Sequence, residues 1–248
     1  MDRLKFSREK DNAKLNKMKE WLPMDKPIVY TISLLSGFSC PSASDCQTYA
    51  ITNRKTGRRE VLDGKHAKFR CFSAIQEARL TGMYNQRKYN FDLLKRKSLE
   101  EMTGLIMASI PRPADIIRVH VGGDFFKKEY MMAWYDSARF HKDIQFYAYT
   151  KSVKWMQELE HLRPNNFSMN ASRGGRQDYI IDEFAMKSAE VVYHPSETTL
   201  PIDHNERYAI EDKGSFALLL HGTQKSGSEA SKALIRMNKE GIEYSYSK

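Results

Sequence analysis

With 248 residues, 41% hydrophobic and 11% aromatic, the chain has enough apolar material for one large α/β domain, which excludes wholesale disorder. No apolar run approaches the roughly 20 residues of a membrane span, and Met1-Asp-Arg-Leu-Lys-Phe6 lacks the apolar stretch of a signal peptide, so a cytoplasmic protein is expected, with no membrane partner. The net charge of +9 points toward nucleic acid, nucleotides or other phosphorylated partners, and an odd cysteine count argues against a disulfide framework.

In chain order, residues 1–22 read as a lysine-rich helical arm, with 23–248 forming a single domain. The apolar, β-branched run 27–35 predicts a first strand, followed by the loop Ser36-Gly-Phe-Ser-Cys-Pro-Ser-Ala-Ser-Asp-Cys46. Residues 47–70 are polar, and the turn chemistry at 53–59 and 62–65 predicts a hairpin or excursion before Cys71. Arg54, Lys55, Arg58, Arg59, Lys65, Lys68 and Arg70 flank the cysteines, and Arg87, Lys88, Lys95, Arg96 and Lys97 follow, a candidate surface for an anionic partner.

Helical periodicity predicts helices over 72–83 and 90–110, the second stopped by Pro111 and Pro113. An alternation then sets in, with strands over 116–121, 144–149, 167–171, 191–194 and 215–221. Helices over 128–140, 153–162, 178–188 and 227–239 separate or follow them, and 196–213 reads as a loop. About six strands, most followed by a helix, imply a parallel sheet. Both an open doubly wound sheet and a three-quarter barrel suit that count, and both collect ligands beyond the carboxyl ends of the strands.

Those ends are rich in chemistry. The cysteine loop follows strand one, and His120-Val-Gly-Gly-Asp-Phe-Phe126 follows strand two. Lys151, the Asn170-Ala-Ser-Arg-Gly-Gly175 turn, His194 and the His221-Gly-Thr-Gln224 segment follow the later strands. Turning backbone explains the glycines. It explains less well Asp124, Lys151, Arg173, His194 and Gln224. Arg173 with two glycines resembles an anion-binding turn, whereas His120, inside an apolar strand, reads as a core histidine.

Cysteines on the loop after the first strand, with a Gly-Gly-acid turn after the second, are similar to the radical S-adenosylmethionine (SAM) superfamily. That resemblance implies a parallel (β/α)6 partial barrel of radical-SAM type. It implies Cys40, Cys46 and Cys71 on three irons of a [4Fe–4S] cluster, with the fourth iron open to SAM. Gly122, Gly123 and Asp124 would place SAM, and Lys151, Ser172, Arg173, His194 and His221 complete the candidate cofactor-binding set. An electron donor is then an implied partner. The chain departs from that family in carrying Asp for Glu, and in its spacing. Five residues separate Cys40 from Cys46, and twenty-four separate Cys46 from Cys71, where the family has three and two.

The chain as a whole also resembles the phage and plasmid gene product 88 family. Ser39-Cys-Pro-Ser-Ala43, Phe69-Arg-Cys-Phe72, 120–126, 147–152, 171–175, Leu200-Pro-Ile-Asp-His204 and 219–224 carry that likeness. It implies a phage or mobile-element origin, hence the host cytoplasm, and supplies no reaction. Two other readings stay open. One is a metal-dependent hydrolase or nuclease using His120, Asp124, His194 and His221. The other is a non-enzymatic basic protein that binds nucleic acid or a host partner around a structural metal, for which the cysteines and His66 would suit zinc.

Overall fold

The computed structural model describes residues 2–9, 17–23, 27–211 and 213–244. Its main sheet has seven strands, β1 (Ser7–Arg8), β2 (Val29–Ile32), β5 (Ile116–Val119), β6 (Gln145–Thr150), β7 (Phe167–Ser172), β8 (Ser188–Val192) and β9 (Phe216–Leu219), in that spatial order. Only β1 runs antiparallel, and the other six are parallel and stand in chain order. The separate antiparallel hairpin β3 (Thr48–Thr52) and β4 (Arg59–Asp63) fills the excursion, as its turn chemistry predicts.

Eight α-helices are described: α1 (Phe72–Arg79), α2 (Thr81–Leu94), α3 (Leu99–Ser109), α4 (Lys128–Phe140), α5 (Val153–Glu158), α6 (Asp178–Glu183), α7 (Arg207–Ile210) and α8 (Glu229–Lys239). The chain is thus a mixed α/β protein with a mostly parallel central sheet. A doubly wound sheet reverses its strand order at a switch point, and this order contains no reversal.

The strand alternation sorts side chains onto the two faces of the sheet. Ile32, Ile117, Val119, Phe146, Ala148, Phe167 and Met169 pack under Tyr130, Met131, Trp134 and Tyr135 of α4, Met156 of α5 and Ile181 of α6. The opposite face gathers Val29, Ile116, Tyr147, Ala189 and Phe216, from five of the parallel strands, beneath Met18 and Ala209. A polar knot lies on that second face. Arg118 bonds the fully buried Glu206 at 3.0 Å, Tyr149 donates its hydroxyl to the same carboxylate at 2.9 Å, and the guanidinium lies 5.2 Å from the Tyr149 ring centroid. Burying an arginine costs several kcal/mol unless a charge meets it, which Glu206 does.

Several sequence expectations are corrected at their edges. The helix expected over 90–110 is two helices, because Ser98 forms a capping box. Its hydroxyl accepts the Glu101 N–H at 3.3 Å, and the Glu101 carboxylate accepts the Ser98 N–H at 2.8 Å, so a new helix starts there. The helix expected over 72–83 breaks at Leu80, whose backbone is extended. β8 begins at Ser188, where a helix was expected to continue. In the expected helical arm, Ser7–Arg8 is a strand on β2 and Lys17–Glu20 a single 3-10 turn, while 10–16 lie outside the described residues. A short segment with few apolar positions gains more from pairing with a sheet edge than from an isolated helix.

Candidate functional site

The excursion between Cys46 and Cys71 closes on itself and brings the third cysteine within electrostatic reach of the other two. The Asp45 carbonyl accepts the N–H groups of Lys68 and Phe69 at 2.8 and 3.1 Å, and Lys68 returns an ion pair to the Asp45 carboxylate at 2.9 Å. The Thr48 hydroxyl accepts the Cys71 N–H at 3.1 Å and donates to the Cys46 carbonyl at 3.2 Å, pinning the second and third cysteines together. Gln224, beyond β9, takes the Arg70 N–H at 2.7 Å and donates to the Arg70 carbonyl at 3.2 Å. The segment before Cys71 is thereby fastened to the last strand's carboxyl end. The cysteine loop is fastened to the β7 end, where Ser44 and Asp45 donate to the Gly174 carbonyl and Arg176 donates to Ser42.

Each cysteine is partly exposed. Burial pushes the Cys40 thiol well up, and Asp124, Cys71 and Cys46 push it further by their charge. Burial and then Cys46 raise Cys71 to about 11. Cys46 is raised by burial but eased back by the Lys151 cation. All three are therefore held as neutral thiols at neutral pH. A metal centre would displace those protons and reverse the electrostatics.

Which metal group fits can be tested on the donors. Among the described residues no group of three or more His, Cys, Asp or Glu side chains could hold a metal ion. A single ion collects all its ligands in one coordination sphere, and neither the cysteines nor the set His120, Asp124, His194 and His221 meets that demand. His66, the candidate zinc partner, is exposed. The thiols nevertheless stand close enough to feel one another's charge.

Gly122 and Gly123 lie under the cysteine loop because nothing larger fits. A Cβ on Gly122 would stand 1.9 Å from the Ser73 hydroxyl, and one on Gly123 would stand 2.6 Å from that of Ser39 and 2.7 Å from the Leu34 Cβ. The pair lets the loop after β2 and helix α1, which starts after Cys71, close on the same backbone. Asp124 is buried and internally occupied. Its carboxylate accepts the Thr150 hydroxyl at 2.6 Å and the N–H groups of Phe125 and Lys151 at 2.7 and 2.9 Å. Burial raises it to about 6 against those bonds. Lys151, also buried, points from the β6 end to β7, bonding the Ser172 hydroxyl at 2.9 Å and the Arg173 carbonyl.

Other expected site residues are placed elsewhere. Arg173 turns away to Asp182 of α6, at 2.6 Å, and its glycine turn already holds an anion, the Asp178 carboxylate, through Gly174 N–H at 2.7 Å and Gly175 N–H at 2.9 Å. His194 accepts the Ser196 N–H on Nδ1 and donates from Nε2 to Glu240 at 2.7 Å, so it clamps the C-terminal end of α8. His221 remains at the rim, donating to the Leu219 carbonyl at 3.1 Å with its ring 4.7 Å from that of Phe72, beside Cys71. His120 is a core histidine as expected, buried against Phe125 and Tyr130.

Sequence reading missed the layer beneath the cysteines. Glu77 of α1, wholly buried, accepts the Ser36 N–H at 3.1 Å and the Ser36 hydroxyl at 2.7 Å, and pairs with Arg87 of α2 at 3.1 Å. Arg87 also donates to the Ser73 hydroxyl at 2.6 Å. Arg87, expected on a surface for an anionic partner, is instead a buried structural cation. Arg70 likewise pairs with Asp63 through two nitrogens. Helical spacing could have flagged Glu77, which shares a face with Ser73 one turn earlier.

Comparison with known proteins gives a family. The model of the family described as Gene product 88 matches residues 4–238, and the chain belongs to that family. It is similar to the "Gene 88 protein" of Mycobacterium phage L5, 27% identical over 168 residues that cover 58% of this chain and 69% of the relative. No solved structure matches. Among the described residues no helix is long and apolar enough to cross a membrane.

Proposed function

We propose that this member of the Gene product 88 family is an iron–sulfur protein of radical-SAM type. Cys40, Cys46 and Cys71 would hold a [4Fe–4S] cluster at the carboxyl ends of a (β/α)6 partial barrel. The observation that carries the reading is the closure of the 47–70 excursion, through Asp45, Thr48 and Gln224, which returns a cysteine separated by twenty-four intervening residues to within electrostatic reach of the other two. Six parallel strands in chain order, with the cysteine loop after the first and the Gly-Gly-Asp turn after the second, support the same reading.

When bound, such a cluster with one open iron supplies the electron that splits SAM and starts hydrogen abstraction from a substrate. The chain's own residues would prepare that site. Gly122 and Gly123 admit the loop at van der Waals distance, and Lys151 offers a buried cation beside Cys46 that offsets part of a cluster's negative charge. Asp124 ties the loops after the second and third parallel strands together through Thr150 and Lys151, a bracing role in place of the direct SAM contact that the family resemblance implies. A basic chain suits a nucleotide, nucleic-acid or phosphorylated substrate, and a phage-encoded enzyme would work in the host cytoplasm with a host electron donor.

Anaerobic purification with assays for iron, sulfide and zinc, followed by titration with SAM, tests this. About four irons and four sulfides per chain are expected, with a brown colour, absorbance near roughly 400 nm, and a spectral change on adding SAM. Zinc alone, or a colourless chain indifferent to loss of Cys40, would sink the proposal.

A further inference from the structure

The excursion that closes the cysteine site also exposes a surface that the site does not use. On the β3–β4 hairpin, Thr48, Ala50 and Val61 turn inward and Tyr49, Ile51, Glu60 and Leu62 outward. Tyr49 and Leu62 are cross-strand partners. The Tyr49 ring packs over Gly37 and meets Phe38, of the cysteine loop, edge-on with centroids 5.1 Å apart. Phe38 is 48% exposed and Leu62 50%, and Tyr49, half-buried, lies between them, so the three form one apolar patch on this face.

The tip beyond them is built to present charge. The Asn53 side chain accepts the N–H groups of Lys55 and Thr56 at 2.8 and 3.2 Å, and the Asn53 carbonyl accepts that of Gly57 at 2.9 Å. This fixed turn carries Arg54, Lys55 and Arg58, all exposed and none with an ion-pair partner among the described residues. The neighbouring acid, Glu60, is engaged by the Asn53 amide at 2.8 Å. By contrast Lys68, Arg70, Arg87, Lys88, Lys95 and Lys97 are all spent in ion pairs.

An exposed aromatic ring, Phe38, backed by the half-buried ring of Tyr49 on a hairpin whose tip carries unpaired cations, is what a flexible polyanion with free bases demands. We propose that the outer face of the β3–β4 hairpin docks single-stranded nucleic acid, with Phe38 and Tyr49 receiving a base and Arg54, Lys55 and Arg58 receiving phosphates. A two-stranded ribbon can also enter a duplex groove, but it reads base edges with polar side chains, and this outward face is apolar with a carboxylate. The inference rests on the proposed function for its purpose, since it names the polymer that would bring a nucleotide to the cysteines. Phe38 lies two residues before Cys40, and Tyr49 lies three after Cys46.

The test is fluorescence anisotropy of the full anaerobic chain with short labelled single-stranded DNA, single-stranded RNA and the matching DNA duplex, each titrated across a salt series. Single strands are expected to bind more tightly than the duplex. Replacing all three tip cations by serine (R54S/K55S/R58S) should lower the slope of log affinity against log salt by about 2, at about 0.7 per phosphate contact on a single strand. Phe38→Ala should weaken single strands by about five-fold or more, the lower end of a base–aromatic stack. A control removing the exposed Lys142, Lys154 and Lys225 should change neither. Equal losses in the control, an unchanged slope in the tip variant, or duplex binding indifferent to Phe38 would overturn the assignment. So would polyglutamate competing as well as nucleic acid, which would give the face to an acidic protein. Iron and sulfide are measured on the same samples. A metal-free chain that still binds through the hairpin refutes the radical-SAM reading alone, and a loaded chain that ignores single strands refutes this one alone.

Discussion

Replacing Glu77 by glutamine removes the charge that faces Arg87 inside the protein, and it should be among the most damaging isosteric changes available. The Glu77 carboxylate is wholly buried and the Arg87 side chain is 6% exposed, so water can replace neither partner. Burial raises the Glu77 acid, while Arg87 and the two Ser36 donors hold it down. The amide of Glu77→Gln keeps the shape but presents one donor where Arg87 and Ser36 already donate. Breaking a buried pair from one side costs about 3–5 kcal/mol, a large share of the roughly 5–15 kcal/mol by which domains are stable. Urea unfolding of the anaerobic protein should show that loss at an unchanged denaturant slope. Because Ser36 opens the cysteine loop and α1 starts after Cys71, the variant should also surrender iron faster to a chelator. The double variant E77M/R87M should recover most of the stability, since two apolar side chains leave no charge stranded. A Glu77→Gln protein within about 1 kcal/mol of wild type would refute the claim that this pair fastens the cysteine loop.

Gly122→Ala places a methyl 1.9 Å from the Ser73 hydroxyl and should cost about 1–3 kcal/mol through overpacking, read as a lowered urea midpoint; an unchanged midpoint would mean that the loop and α1 approach less closely than described. Cys71→Ser should abolish iron retention as fully as Cys40→Ser despite its distance along the chain, and a Cys71→Ser protein holding a full complement of iron would remove it from the ligand set. His120 gives a pH test. Burial pulls its imidazole down to about 3 from 6.5, so below pH 6.5 the unfolded chain takes up a proton that the folded chain refuses. The stability this neutral ring contributes is present above pH 6.5 and lost as pH falls, by about 2 kcal/mol between pH 6.5 and 5. Asp124, raised to about 6 from 3.8, acts in the opposite sense below pH 6, so the comparison must be with a variant. His120→Asn, whose side chain tolerates the positive φ of 72° at that position, should lose about 2 kcal/mol less than wild type on going from pH 7 to pH 5. Equal pH slopes would show that His120 titrates normally.

Elements with a strong period were legible before any fold was known. Helix α4 begins and ends where its apolar spacing predicts, and β6 and β7 are displaced by no more than a residue at either end. Junctions were less legible, because the Ser98 capping box outweighs a helical pattern that continues on both sides of it. At the site, the residue types at the strand ends were readable, but which way each side chain turns was not. Arg173 and His194 stand at carboxyl ends like Lys151, yet the acids Asp182 and Glu240, nine and forty-six residues away, draw both aside.

The sequence by itself determined the alternation of strands and helices, the hairpin and the chemistry gathered at one end of the sheet, because periodicity and turn residues are local properties. Only the tertiary structure decided strand order, the burial of Arg87 and the return of Cys71 to the loop that carries Cys40 and Cys46. Those depend on single long-range hydrogen bonds, from Asp45, Thr48, Glu77 and Gln224, whose partners no local pattern announces.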